Sequence, residues 1–241
     1  MEKADLAGAG KTAISVVIPA YNEEENIEKC FLSVTRVMEK YGKSYEIIFE
    51  EDGSTDKTPE IIDALAHMYP NVVALHESKR RGKGFGIKKG IGEAKGDILA
   101  IIDGDMEYPP ESLPEIFRLI DSYDIVIGVK GRNSKKRWYR IILSKLHNVV
   151  LRVLFGMDLQ GSQSGLKVFR RGTFEAVKPL MSNGFEIDTE ILVKAIRKGY
   201  RVCCVPVVYR YKGSTRVNIL KDPLKMFVSI LKLRAGLYSE K

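Results

Sequence analysis

The sequence predicts an α/β fold: a mostly parallel central sheet with helices on both faces. Three observations carry this. Short runs rich in Ile and Val alternate with longer stretches whose apolar residues recur every three or four positions. Before residue 131 the two kinds of signal alternate strictly, an order that builds parallel strands joined by crossover helices. One apolar run, Ile98–Ile102, ends abruptly in Asp103-Gly104-Asp105-Met106-Glu107. That acidic cluster falls just past the carboxyl end of a buried strand, where open α/β sheets bind their ligands.

The elements follow in order. Ile14–Ile18 reads as a strand stopped by Pro19. Glu24–Tyr41 carries a helical stripe of Ile27, Phe31, Val34, Val37 and Met38. Tyr45–Phe49 is a strand, and Thr58–Met68 a helix with Ile61, Ile62, Leu65 and Met68 on one face. Val72–Leu75, the Gly-containing helix Gly84–Ala94, the strand Asp97–Ile102, the helix Glu111–Ile120 and the strand Asp124–Val129 complete the first half. After Lys130 the character changes. Lys135–Phe155 reads as an amphipathic helix with a basic end, Leu166–Arg170 as a strand, Asp188–Arg197 as a helix, and Val202–Tyr211 as a β-rich run broken by Pro206. Leu220–Leu237 mixes apolar with basic residues. We expect a disordered tail over 1–13, one domain over 14–216 divided near residue 130 into halves sharing one core, and an amphipathic segment over 217–241.

A 241-residue chain with 44% hydrophobic residues has material for a substantial core. Its net charge of +8 calls for an acidic partner, such as a nucleotide, a phosphorylated lipid or an anionic membrane. The basic residues are not interleaved with aromatics as in a nucleic-acid reader, so nucleic acid is not expected. Three cysteines without metal-ligand spacing predict a reduced, intracellular protein, and adjacent Cys203 and Cys204 should point to opposite faces of a strand. No apolar core of a signal peptide and no stretch of ~18–20 apolar residues is present, so any membrane association is expected to be peripheral.

Four motifs carry the chemistry. Asp103, Asp105 and Glu107 repel one another unless a cation sits among them, and hard ions such as Mg²⁺ or Mn²⁺ take such oxygen ligands. Asp-Gly is equally a turn signal. Pro19-Ala20-Tyr21-Asn22-Glu23 follows the first strand. Tyr21 suits stacking on a base and Glu23 suits ribose hydroxyls, while Asn22 suits a helix cap. In Glu51-Asp52-Gly53-Ser54-Thr55-Asp56, Asp52 suits the N–H of a base and Gly53 a sharp turn, with Ser54 or Asp56 capping the next helix. Lys79-Arg80-Arg81-Gly82-Lys83-Gly84 precedes a helix, as an anion-binding loop does, or is a solvated surface loop.

Taken in order, Pro-x-Tyr-Asn-Glu, Glu-Asp-Gly-Ser-x-Asp, Gly-Lys-Gly and Asp-x-Asp resemble glycosyltransferase family 2, of GT-A fold. Within it the chain resembles the polyprenyl-phosphate hexose synthases, including dolichyl-phosphate mannose and dolichyl-phosphate glucose synthases. The similarity runs from about Ile14 to Arg216. Trp138-Tyr139-Arg140, Ser144 and Asn148 are similar to the family's Trp…Arg-x-x-x-Ser-x-x-x-Asn helix. Gln163–Phe169 resembles its Gln-Cys/Ser-Gly-Phe-Lys segment, and Arg210, Gly213, Thr215 and Arg216 its Arg-x-x-Gly-x-Ser-Lys loop. Three departures stand out: Glu51 replaces the usual first Asp, Glu107 stands where mannose-type enzymes often have Gln, and Gly128-Val129-Lys130 replaces Gly-Ser-Arg.

The resemblance implies an inverting transfer of hexose from a nucleotide sugar, UDP-glucose or GDP-mannose, to a polyprenyl or dolichyl phosphate at the cytoplasmic face of a membrane. It implies Mg²⁺ or Mn²⁺ on Asp103, Asp105 and Glu107. The nucleotide sugar would meet Pro19, Tyr21, Glu23, Asp52, Lys83, Asp103, Gly104, Arg210 and Arg216, and the acceptor phosphate Lys130, Arg140 and Ser144. Asp105, Arg140 and Arg210 would act in catalysis. Trp138, Leu143, Leu151 and Phe155 suit a membrane interface, as does the tail, or else a core or dimer contact. Two alternatives stand beside this reading. One is a soluble transferase acting on a saccharide or protein hydroxyl, for which Glu186 or Asp188 would be the base. The other is a catalytically silent nucleotide-sugar-binding protein. Homo-oligomers are compatible with each.

Overall fold

The computed structural model describes residues 12–131, 149, 152–156, 161–210, 231 and 234–236. A seven-stranded sheet runs in the order β3-β2-β1-β4-β6-β5-β7. Its strands are β1 (Ile14–Ala20), β2 (Tyr45–Glu51), β3 (Val72–His76), β4 (Ile98–Ile102), β5 (Ile125–Lys130), β6 (Leu166–Arg170) and β7 (Val202–Val207). All pairings are parallel except those of β6, which runs antiparallel to both β4 and β5. The sheet joins the two halves of the chain, since β6 and β7 of the second half pair on either side of β5 and β6 also pairs with β4. Among the described residues lie the helices α1 (Ile27–Tyr41), α2 (Thr58–Met68), α3 (Lys83–Glu93), α4 (Leu113–Leu119), α5 (Arg171–Ala176) and α6 (Ile187–Arg197), with a 3₁₀ turn at Pro110–Ser112.

Strand periodicity sorts the core into two layers. Val16, Ile18, Ile47, Phe49, Ala100 and Ile102 pack with α1, α2 and α4. Their neighbours Val17, Ile48, Leu99 and Ile101 pack on the other face with α3, α5 and α6. Both sets are buried, which is why these strands read as continuous apolar runs.

The expected elements form, with instructive differences. β1 does not stop at Pro19 but continues to Ala20. Its pairing with β4 ends at Val17, so at Pro19 the strand is bonded only to β2 and the missing N–H breaks no ladder on the β4 side. Pro206 likewise lies within β7 because β7 is an edge strand. β7 ends at Val207, short of the expected Tyr211. Within it Cys203 is half-buried and Cys204 exposed. Asn22 does not cap α1; its backbone is left-handed, and its side-chain oxygen accepts the N–H of Thr55 at 2.8 Å. It thus ties the β1 loop to the β2 loop. The short helix α5 was not expected, since six residues carry too little periodicity to register. Phe155, expected at a membrane interface, is buried at 7% exposure in the layer shared with α3, α5 and α6. Its aromatic area is thereby removed from any lipid contact. Trp138, Leu143 and Leu151 lie outside the described residues.

Candidate active site

The parallel strands all end on one edge of the sheet. The order β2-β1-β4 places a switch point between β1 and β4, where an α/β sheet opens a ligand crevice. Around it lie the loops after β1 (Tyr21–Glu23), β2 (Asp52–Asp56), β3 (Lys79–Lys83) and β4 (Asp103–Glu107). The segment before β6 (Ser162–Gly165) and Tyr209–Arg210 after β7 complete it.

Asp103 continues the parity of Leu99 and Ile101 and so faces α3. Its N–H donates to the Gly165 carbonyl at 3.0 Å. Its carboxylate meets the Lys83 ammonium, 2.7 Å from Oδ1 and 3.0 Å from Oδ2. Lys83 therefore turns towards carboxylates rather than presenting a free cation to solvent. A Cβ at residue 165 would collide with Asp103 Oδ2, so glycine there lets the carboxylate lie against the backbone. Gly165→Ala is expected to leave the melting temperature nearly unchanged, because the atoms a Cβ would meet belong to the Asp103 side chain and not to backbone. It should lower turnover about 10- to 100-fold through misplacement of Asp103. Paired melting and rate measurements check this.

Asp105 is half-buried and accepts the N–H of Glu107 at 2.9 Å in a local turn, with Met106 left-handed at φ 57°. Both readings of the motif thus hold together, since the turn itself presents the carboxylates. Burial, then the charges of Asp103, Glu107 and Glu23, push the Asp105 carboxyl up to about 7, although its hydrogen bond from Glu107 acts the other way. The Glu107 carboxylate is engaged elsewhere: it accepts the Tyr209 hydroxyl at 2.6 Å, and its carbonyl accepts the Arg210 N–H at 2.8 Å. Lys130 Nζ sits 3.5 Å from the centre of the Tyr209 ring. Among the described residues no three His, Cys, Asp or Glu side chains converge into a ready-made metal cage. Asp103, Asp105 and Glu107 all lie on this one turn, and Glu107 also ties it to Tyr209 after β7. One or two carboxylates shared with substrate phosphates is the usual way to hold Mg²⁺. The excess negative charge that lifts Asp105 fits a hard divalent cation.

Asp52, expected to read a base, accepts the N–H groups of Arg81 at 2.5 Å and Gly82 at 2.9 Å. It pins the basic loop to β2 and so sets where α3 and Lys83 begin. Gly53 takes the left-handed turn anticipated for it, φ 68°. Asp56 lies one residue ahead of the α2 N-cap, Lys57, and accepts the N–H of Thr58 at 3.0 Å in a local turn rather than capping the helix itself. Ser54 instead accepts the Asn22 N–H. Glu51, the unusual residue of its motif, is buried and accepts the Ser54 N–H, closing the turn from within. The Tyr21 ring carries the Arg80 guanidinium 4.2 Å from its centre. Glu23 accepts from the Asn26 amide at 2.7 Å and lies close enough to raise Asp105. Pro19 and Gly104 line the same edge through their strand ends. Arg140, Ser144 and Arg216 lie outside the described residues.

The sequence profile of glycosyl transferase family 2 matches residues 15–177, which take in β1 through β6 and the whole Asp103–Glu107 turn. The chain belongs to this family. It is 34% identical to glycosyltransferase AglD of Haloferax volcanii, over 94% of this chain and 38% of that protein. It is also 34% identical to the dolichol-phosphate mannosyltransferase of Pyrococcus furiosus, over 85% of this chain and 59% of that one. A 28% identity links it to the undecaprenyl-phosphate 4-deoxy-4-formamido-L-arabinose transferase of Proteus mirabilis, over 78% and 61%. The chain thus spans between 38% and 61% of the length of these relatives. Its fold matches that of glucosyl-3-phosphoglycerate synthase from Mycobacterium tuberculosis, with TM-score 0.74 and 22% identity over 95% of this chain and 81% of that one. Mannosyl-3-phosphoglycerate synthase from Rubrobacter xylanophilus gives TM-score 0.73 at 16% identity, over 93% and 73%.

Two residues of this family 2 site escaped the sequence reading as a working pair. Lys167 lies mid-strand in β6, fully buried, with its Nζ 2.9 Å from Asp188 Oδ1. Its ammonium also donates to the Ser164 carbonyl. Asp188, in the first turn of α6, reaches back with Oδ2 to Lys83 at 3.4 Å. The available signal was a lysine inside an otherwise apolar strand, because a lone buried charge is prohibitively costly without a partner. Tyr209 also went unremarked, having no motif to mark it.

Proposed function

We propose that this chain transfers a hexose from a nucleotide sugar to a polyprenyl phosphate with inversion at the anomeric carbon. The observation that carries this reading is the Asp103–Asp105 pair at the carboxyl end of β4, beside Lys83 in the crevice between β1 and β4. The names of the relatives support the acceptor class: two of them are transferases of dolichol phosphate and undecaprenyl phosphate.

Asp103 and Asp105 would hold Mg²⁺ or Mn²⁺, which supplies neutralisation for the diphosphate that leaves. The protein's own groups do the rest. Tyr21, Glu23 and Asp52 frame the nucleoside side of the crevice. Lys83 and Arg210 add positive charge near the diphosphate. An oxygen of the acceptor phosphate attacks the anomeric carbon, forming a new C–O bond as the bond to the diphosphate oxygen breaks. A phosphate monoester, with a second pKa of ~6, is largely ionised at neutral pH and needs positioning rather than deprotonation. Lys130, Arg140 and Ser144 are the candidates for that task. Asp188, the alternative base for a hydroxyl acceptor, is only 2% exposed and faces two lysines. It is therefore closed to an acceptor. Among the described residues no helix is long and apolar enough to cross a membrane. Contact with the acceptor lipid would then be made from the membrane surface.

The test is a donor and acceptor screen. UDP-glucose and GDP-mannose are each offered with a short polyprenyl phosphate or with a saccharide, and products are read by mass spectrometry. The expected product is a polyprenyl-phosphate hexose that requires Mg²⁺ or Mn²⁺. Transfer to the saccharide alone would overturn the lipid acceptor, and nucleotide binding without any turnover would leave a silent binding protein.

A further inference from the structure

Lys83 sits between two carboxylates of opposite character. Asp103, 2.7 Å from its Nζ, has a side chain 30% exposed to the crevice. Asp188, 3.4 Å away, has a side chain 2% exposed. The second oxygen of Asp188 is already taken by Lys167, itself enclosed and tied to the Ser164 carbonyl. One ammonium therefore spans an open carboxylate and a sealed one, and the sealed one is held on its other oxygen by Lys167.

A cation arriving at Asp103 meets that ammonium at once. Two positive charges on one carboxylate repel strongly at such distances. Lys83, on the first turn of α3, has little room, with its side chain only 10% exposed. The Asp188 oxygen, 3.4 Å from Nζ, lies within a small side-chain adjustment.

We propose that Lys83 is the resident counter-ion of Asp103 and shifts onto Asp188, fixed by Lys167, when a divalent cation takes Asp103. Asp188 and Lys167 are then positioning residues. They hold a berth that keeps Lys83 buried, charged and beside the crevice after its displacement. This rests on the reading that Asp103 and Asp105 hold a divalent cation.

The test is Mn²⁺ binding by the full chain without nucleotide, followed by electron paramagnetic resonance of free Mn²⁺. The proteins are the wild type, Lys83→Met, Asp188→Asn and the double variant, each checked for folding by thermal melting. Removing the competing ammonium should tighten Mn²⁺ binding about tenfold, and removing the berth should weaken it by a similar factor. In the Lys83→Met background, Asp188→Asn should lose most of its effect, since there is no ammonium left to relocate. Should Lys83→Met fail to fold, Lys83→Gln carries the same expectation. Mn²⁺ affinity unchanged or weakened by loss of Lys83, or an Asp188→Asn effect equal in both backgrounds, would overturn the proposal. Absence of Mn²⁺ binding in every protein, with and without UDP, would instead overturn the divalent-cation reading itself.

Discussion

Asp105→Ala is expected to lower turnover by about 10²–10³-fold or more while the protein stays folded. The two halves of that expectation have different causes. Asp105 stands in a local turn, and its carboxylate accepts from the N–H of Glu107, only two residues away. No strand pairing or core layer depends on it. Its carboxyl is held up near 7 by burial and by three neighbouring acids, so its removal relieves repulsion in the cation-free protein. Melting temperature should therefore hold or rise slightly. Turnover should collapse, because Asp105 is the central carboxylate of the proposed cation site and its loss leaves Asp103, already paired with Lys83, and Glu107, already bonded to Tyr209. Rate and melting measured side by side decide the matter. Near-normal turnover with unchanged metal dependence would remove Asp105 from the mechanism.

The second large effect concerns stability. Glu50, on β2, is 0% exposed, and neither carboxylate oxygen has a hydrogen-bond partner among the described residues. It fits beneath α3 only because residue 86 is glycine, whose missing Cβ leaves the space the carboxyl fills. Burial, then the charges of Asp52, Glu77 and Glu51, push it from 4.5 to about 8, with only Lys89 opposing. The folded protein therefore keeps this proton where the unfolded chain has lost it. Unfolding then releases a proton, and stability falls as pH rises from about 4.5 to about 8, levelling above that. The loss from this group is on the order of 4 kcal/mol across the window. Glu50→Gln, of the same shape and without charge, should abolish this slope and leave the protein more stable than wild type at pH 8. Denaturant unfolding at pH 5, 6.5 and 8 measures it. Parallel pH profiles for the two proteins would show that Glu50 has a partner or is ionised.

Much of the site was legible because its residues are ordered by local chemistry. Asp-Gly-Asp after a β-branched run marks a strand end, and Gly53 marks a turn, whatever the rest of the chain does. Glu51 was visible as an unusual residue, but its task was not. Closing the turn through the Ser54 N–H is a fact of the folded loop. The hold of Asp52 on the basic loop was hidden for a related reason. A carboxylate at a strand end suits a ligand N–H as well as a backbone N–H, and the two backbone donors come from residues 29 and 30 positions away. Phe155 belonged to an amphipathic pattern whose apolar side can face lipid or protein. Only the presence of a complementary layer under α3, α5 and α6 sends it inward.

The architecture, the edge of the sheet that carries the chemistry and the family were all legible in the order of residues. These depend on periodicity, on strand–helix alternation and on short motifs, which are properties of neighbouring residues. Tertiary structure alone decided the partners. The antiparallel insertion of β6 between β4 and β5 sets Lys167 opposite Ile101 and Ile127, on the face where α3 and α6 meet. From there the Asp103–Lys83–Asp188–Lys167 chain of charges assembles from four separate elements. The physical reason is that a buried charge takes whichever opposite charge the fold brings within about 3 Å, and sequence distance has no part in that choice.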